Sequence, residues 1–193
     1  MITSAIRESL TSPELKRAIK VLQQGGVIAY PTEHCYGLGC DPDNQHAVRK
    51  LLSIKQRSRR QGVLLIAASI PQVSKYAVLD KVPFETEIRS SWPGPFTWLL
   101  PARSTVSKWV KGDHPLVAVR VTQHAIAAQL CRVYGKALVS TSANRHKRPA
   151  LLSAIEVNAA MGQQIDYILP GPVGGDSKPS QIRNGISGQL LRQ

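Results

Sequence analysis

The sequence predicts an α/β fold, a single domain over 1–193 built on a twisted mixed β-sheet with helices packed on it. Short apolar runs alternate along the chain with segments of helical periodicity. No repeat, low-complexity stretch or long linker divides the 193 residues, a length that suits one substantial core. Two of the apolar runs, 96–101 and 116–121, allow antiparallel pairing, so the sheet is expected to be mixed.

Thr11 and Glu14 stand at capping-box spacing, and Leu15, Ala18, Ile19 and Leu22 then recur on one helical face. Gly25 and Gly26 end that helix, and 27–30 reads as a buried strand. Ala47, Val48, Leu51 and Leu52 mark a second amphipathic helix, begun near Asp43 or Asn44. Strands follow at 63–68, 96–100 and 116–121. A third helix over 123–134 stops at Gly135 and leads into a short strand at 137–139. A fourth, 153–161, precedes Gly162 and a strand at 165–169. The segment PGPVGGDSKPS is a loop on composition, and 189–192 a last short strand.

Lys and Arg total 25 against 12 Asp and Glu, a formal charge of +13. That excess attracts polyanions such as RNA or a nucleoside triphosphate, or simply solvates a basic face. Its distribution is uneven. Arg49, Lys50, Lys55, Arg57, Arg59 and Arg60 lie in one acid-free run, and Arg145, Lys147 and Arg148 flank His146. The first ten residues contain no apolar block resembling a signal peptide, and no apolar run is long enough to span a bilayer. A cytoplasmic protein with no membrane partner is expected. Three cysteines, an odd set, argue against a disulfide framework.

No GxxxxGK[ST] loop occurs, which excludes an ordinary P-loop ATPase. Pro42 takes the third glycine position of a dinucleotide fingerprint begun at Gly37-Leu-Gly39, and Pro179 spoils a nucleophile elbow at Gly175. His34, Cys35, Cys40 and His46 lack the CxxC spacing of a zinc knuckle, so packed core cysteines are the expectation and no metal ligand is assigned.

Four segments place anion or hydroxyl binders beside buried strands. Pro31-Thr32-Glu33 sets a hydroxyl and a carboxylate at a strand edge, where α/β sheets bind ligands. Lys55-Gln-Arg57 puts two cations together just past a helix, a pair that one triphosphate would satisfy. Ser140-Thr-Ser-Ala-Asn144 offers hydroxyls, an amide and backbone N–H groups to phosphate oxygens. Arg120 stands within the apolar strand Val117-Ala-Val-Arg-Val121, where a buried guanidinium needs a carboxylate or phosphate partner. Taken singly, the first reads equally as a turn, the second as charges at a helix C-terminus, the third as a capped turn.

Together they resemble the YrdC/TsaC family. The shared elements, in order, are Gly25-Gly-Val-Ile-Ala-Tyr-Pro-Thr-Glu33, Tyr36-Gly-Leu-Gly39, Lys55-x-Arg57, Trp92-Pro-Gly-Pro95, Val117-Ala-Val-Arg-Val121 and Ser140-Thr-Ser-Ala-Asn144. Gly174-Gly175, Pro179-Ser180 and Leu190-Leu-Arg192 extend the likeness to the end of the chain, in the manner of the short bacterial form. The resemblance implies a concave basic face and the synthesis of threonylcarbamoyl-AMP from L-threonine, bicarbonate and ATP, with release of pyrophosphate. Partner proteins would then carry the threonylcarbamoyl group to an adenosine beside the tRNA anticodon. Lys55, Arg57, Ser142, Asn144 and Arg192 would hold ATP, with Lys55 and Arg57 acting in catalysis. Thr32, Arg120, Ser140 and Ser180 would hold threonine, and Mg2+ would arrive with the triphosphate. The chain departs from the family at Arg145-His-Lys-Arg148, where a Ser-Gly-rich turn is usual, and at His34-Cys35 and Gln181. The competing readings are an RNA-binding or ribosome-assembly factor without catalysis, and an enzyme adenylating another carbamate.

Overall fold

The computed structural model describes residues 12–145 and 148–192. Ser12 opens α1 (Pro13–Gln23) by accepting a hydrogen bond from Leu15 N at 3.2 Å. Thr11, the expected cap, lies outside the described residues, as do His146 and Lys147 of the second basic cluster. Helix α2 (Gln45–Ile54) begins at Asn44, whose side chain accepts from Ala47 N. Short helices α3 (Ile70–Val73), α4 (Glu85–Ser90) and α5 (Lys108–Lys111) went unpredicted, each being too brief to show a period. Helix α6 (Ala125–Tyr134) ends at Gly135 in the left-handed region, φ 85°, as its position foretold. Helix α7 (Ala154–Met161) carries a capping box between Ser153 and Glu156.

Among the described residues nine strands form one sheet, in the order β7-β1-β2-β6-β3-β5-β4-β8-β9. They are β1 (Ile28–Pro31), β2 (Tyr36–Gly39), β3 (Leu64–Ala67), β4 (Phe96–Pro101), β5 (Leu116–Val121), β6 (Leu138–Ser142), β7 (Tyr167–Ile168), β8 (Gln181–Asn184) and β9 (Leu190–Arg192). Strand β5 pairs antiparallel with β4 and parallel with β3, so the sheet is mixed as expected. Residues 36–39, which show no strand signal in the sequence, form β2. A Cβ on Gly39 would stand 2.6 Å from the Tyr30 ring and 2.7 Å from Val139 O, so only glycine fits between these strands. Strand β6 runs on past 139 through Ser140-Thr-Ser142, and the polar β8 was missed altogether.

Alternation along each strand divides the sheet into two faces. Val117, Val119 and Val121 of β5, with Trp98 and Leu100 of β4, enter the core cluster that also holds Ala47, Val48, Leu51 and Leu52 of α2. On the other face Ile28, Tyr30, Ile66 and Leu138 pack under Leu15, Ala18 and Leu22 of α1 and Leu130 of α6. Beyond those two helices the same face opens. On β6, Leu138 is in this second core, while Ser140 and Ser142 line a cavity. The polarity that hid the rest of β6 from a hydrophobic scan comes from that change of surroundings.

Candidate active site

The cavity encloses about 790 Å³ and is floored by the outward-turned residues of β3, β4, β5 and β6, among them Leu64, Leu99, Ala118 and Ser140. Of the residues singled out from sequence, Thr32, Arg57, Arg120, Ser140, Ser142, Asn144, Ser180 and Arg192 all line it. Lys55 does not. It stands behind the 142–144 loop, bonded to Ser142 O, Asn144 O and Asn144 Oδ1 at 2.7, 2.5 and 2.6 Å. The Ser142 hydroxyl donates to the same Asn144 Oδ1 at 2.7 Å. The ammonium thus shapes the loop by tying three acceptors together. Burial and the neighbouring Arg57 press its pKa down to about 8. Arg57 itself is half-buried, and its Nε has no hydrogen-bond partner among the described residues. Burial lowers its pKa too.

At the other end Arg120 is buried, as period-two alternation required, on the face away from Val119 and Val121. One of its amino groups donates to Glu33 Oε2 at 2.8 Å, and both side chains are almost fully enclosed. Glu33 Oε1 accepts from the Thr122 hydroxyl at 2.7 Å and from Gln123 N at 3.1 Å. Burial alone would raise the Glu33 carboxyl. Arg120, Thr122 and the backbone N–H groups outweigh it and hold the group below its ordinary value. The partner demanded by a buried arginine is therefore supplied by the chain itself. The sequence places the Glu33 carboxylate at a ligand-binding strand edge but does not pair it with Arg120 or count it among the site residues. Arg120 lines the cavity, and its Nε is buried with no hydrogen-bond partner among the described residues.

Thr32 closes a tight turn, its N and Oγ1 both donating to Cys35 O, at 3.0 and 2.7 Å, which leaves the hydroxyl oxygen free to accept. The loop over 170–180 is strapped across this turn. Gly174 N donates to Thr32 O, Asp176 N to Glu33 O, and His34 Nδ1 to Asp176 O at 2.7 Å. A Cβ on Gly174 would meet the Glu33 backbone at 2.9 Å, so glycine permits the approach. The strap delivers Ser180, whose hydroxyl lies 2.9 Å from Thr97 Oγ1. Arg192 on β9 folds back onto Ser180, donating to its carbonyl at 3.1 and 2.8 Å and to its hydroxyl at 3.2 Å. The two residue groups expected to serve different substrates thus meet at Arg192 and Ser180. Burial, then Arg120, lower the Arg192 pKa.

All three cysteines are free and buried; Cys40 and Cys131 lie in the two core clusters as expected, whereas Cys35 lines the cavity. Burial raises the Cys35 thiol, so it stays protonated beside the cavity. Among the described residues no helix is long and apolar enough to cross a membrane.

A family model named Sua5/yciO/yrdC, described as telomere recombination, matches residues 20–193. The chain is 47% identical over 178 residues to a threonylcarbamoyl-AMP synthase from Nitrosococcus oceani, covering 92% of this chain and 96% of that one. It is 48% identical over 179 residues to the protein of the same name from Halorhodospira halophila, covering 93% and 94%. The fold superposes on P. abyssi Sua5 complexed with L-threonine with a TM-score of 0.81 at 28% identity, over 88% of this chain and 50% of that one. E. coli YciO matches in fold with a TM-score of 0.77 at 23% identity, over 93% and 90% of the two chains. A model match over almost the whole chain, near-half identity to relatives of the same length and a common sheet converge: the chain belongs to the Sua5/YciO/YrdC family.

Proposed function

We propose that this chain is a threonylcarbamoyl-AMP synthase, an adenylyl-transferring enzyme that uses L-threonine, bicarbonate or carbon dioxide, and ATP. The observation that carries the reading is the charge arrangement of one continuous cavity. Its Arg120–Glu33 end is a compensated pair, suited to a zwitterion such as an amino acid. Its Arg57 end, braced by Lys55, has no carboxylate partner among the described residues and suits a polyphosphate.

The threonine carboxylate would take the free donors of Arg120, and Thr32, Ser140 and Ser180 would meet its amine and hydroxyl. The neutral amine adds to carbon dioxide and sheds a proton, giving a carbamate. A carbamate oxygen attacks the α-phosphorus of ATP, and pyrophosphate leaves. Arg57, Ser142 and Asn144 would hold the phosphates, with Lys55 fixing their loop and adding positive charge, and Arg192 would stand between the two substrates. Positioning and charge stabilisation supply the catalysis, since the route needs no covalent intermediate. The side chains facing the phosphates are donors and cations, a set that binds phosphate oxygens and repels a metal ion. Mg2+ would therefore enter on ATP, liganded by phosphate and water.

Transfer of the threonylcarbamoyl group to tRNA by partner proteins, in the cytoplasm, completes the proposal. Pyrophosphate release by the full chain with ATP, bicarbonate and L-threonine tests it. Release should require threonine. Release with another amino acid in its place would indicate a different carbamate, and no release with any would favour a binding protein without catalysis.

A further inference from the structure

Arg49, Arg59 and Arg60 belong to the acid-free run of the sequence, yet none of them lines the cavity. Folding gathers them elsewhere. Helix α2 and the 3-10 turn Arg59–Gln61 both pack on α5, and there Trp109 stands between them. The guanidinium carbons of Arg49 and Arg59 lie 5.2 and 5.7 Å from the Trp109 ring centroid. Two such cations near one another repel, and the electron-rich indole face offsets that repulsion while leaving their N–H groups outward. Arg49, Arg59, Arg60 and Lys108 are all exposed. Asp113 is the one acid paired with them among the described residues, at 4.0 Å from Arg59 and 3.8 Å from Arg60, beyond hydrogen-bond distance.

We propose that this face, formed by Arg49, Arg59, Arg60, Lys108 and Trp109, docks the phosphodiester backbone of RNA at the rim of the cavity. Guanidinium forks match phosphate oxygens, and several of them fixed on one face suit a repeating anion better than a single one. A protein partner would be expected to meet an apolar centre, and this face has only the half-buried Trp109. The face also adjoins the site. Gln61 and Lys111, from the same turn and the same helix, line the cavity. RNA bound here would lie near the mouth of the cavity, from which the activated group must leave. The docking surface stands on this geometry alone, and only its identification with tRNA rests on the proposed function.

The test is anisotropy of a labelled, unmodified tRNA transcript titrated with the full chain over a range of salt. Arg49→Ala/Arg59→Ala should bind roughly tenfold more weakly, with the salt slope reduced by about two. Lys16→Ala/Lys20→Ala removes the same charge from exposed positions on α1, which packs on α6 and β1 away from this face. It should retain most of the affinity. Equal losses in the two double variants would mean that net charge alone attracts RNA, and would overturn the surface. Unchanged RNA binding in the first variant would overturn it as well, and would leave an acidic protein as the partner to seek. Threonine-dependent pyrophosphate release without RNA should be the same in all three proteins. If the wild-type chain releases none, the enzyme reading fails while the anisotropy result still decides the surface.

Discussion

The two ends of the cavity handle buried cations in opposite ways. Arg120 is matched within the fold by Glu33, which is itself fixed by Thr122 and Gln123 N. Lys55 and Arg57 have no such acid among the described residues. Lys55 is held by three neutral oxygens, and Arg57 retains an unpaired Nε. A paired buried charge has its desolvation cost offset within the fold before any ligand arrives. An unmatched one is a standing cost that an anion relieves. One end is thus preorganised by the fold, and the other is completed by its substrate.

Breaking the paired end should have the largest effect. Arg120→Ala strands the Glu33 carboxylate in a buried site, which should cost about 3–5 kcal/mol of stability, read as a lower melting temperature and denaturation midpoint. Arg120→Lys leaves Glu33 a cation but removes the planar fork. It should raise the KM for threonine sharply and disturb that for ATP far less. A destabilised variant with unaltered threonine dependence would reduce Arg120 to a structural role and dissolve the contrast between the ends.

At the other end Lys55→Ala removes charge-assisted bonds worth about 1.5–3 kcal/mol, a roughly ten- to hundredfold loss of ATP affinity by calorimetry. Threonine binding measured without ATP should change little. If it falls equally, Lys55 supports the whole cavity and not the phosphate end alone.

Acid should sharpen the comparison. The Glu33 carboxyl is held below its ordinary value near 4.5, so the folded state binds its proton less readily than the unfolded chain does. Its contribution is present above that value and is lost as pH falls through the lower folded one. Chemical denaturation across this range should show an acid limb that Glu33→Gln flattens.

The smallest effect lies in mild alkali. With the Lys55 pKa at about 8, below its ordinary 10.5, the ammonium begins to deprotonate near pH 8, and ATP affinity should decline above it. Stability from this group alone runs the other way, rising between about 8 and 10.5, because there the unfolded chain binds more protons. Lys55→Arg should abolish the pH dependence of ATP binding.

Much of this was legible in the chain. Helices α1, α2, α6 and α7 and strands β3, β4 and β5 declared themselves by apolar period, and Asn44 and Gly135 by their capping chemistry. Strand β2 was hidden because Gly39 serves close approach to Tyr30 and Val139, and a glycine-rich run reads as a turn when its neighbours are unknown. The end of β6 was hidden because Ser140, Thr141 and Ser142 line a cavity and are polar, and β8 because Gln181, Arg183 and Asn184 leave Ile182 as its single apolar residue.

The sequence by itself determined which residues carry charge, hydroxyls and amides in the site, and the family motif that orders them. It also required a partner for Arg120, since a lone guanidinium is too costly to bury. Only the tertiary structure decided which partner. Glu33 and Arg120 are 87 residues apart, and the strap, the Thr32 turn and the edge of β5 bring them together. The fold likewise placed Lys55 behind its loop while Arg57, two residues on, faces the cavity, and carried Arg59 on to Trp109. Neighbours in sequence were assigned to three different tasks because a turn redirects each side chain, and the surroundings it meets belong to distant parts of the chain.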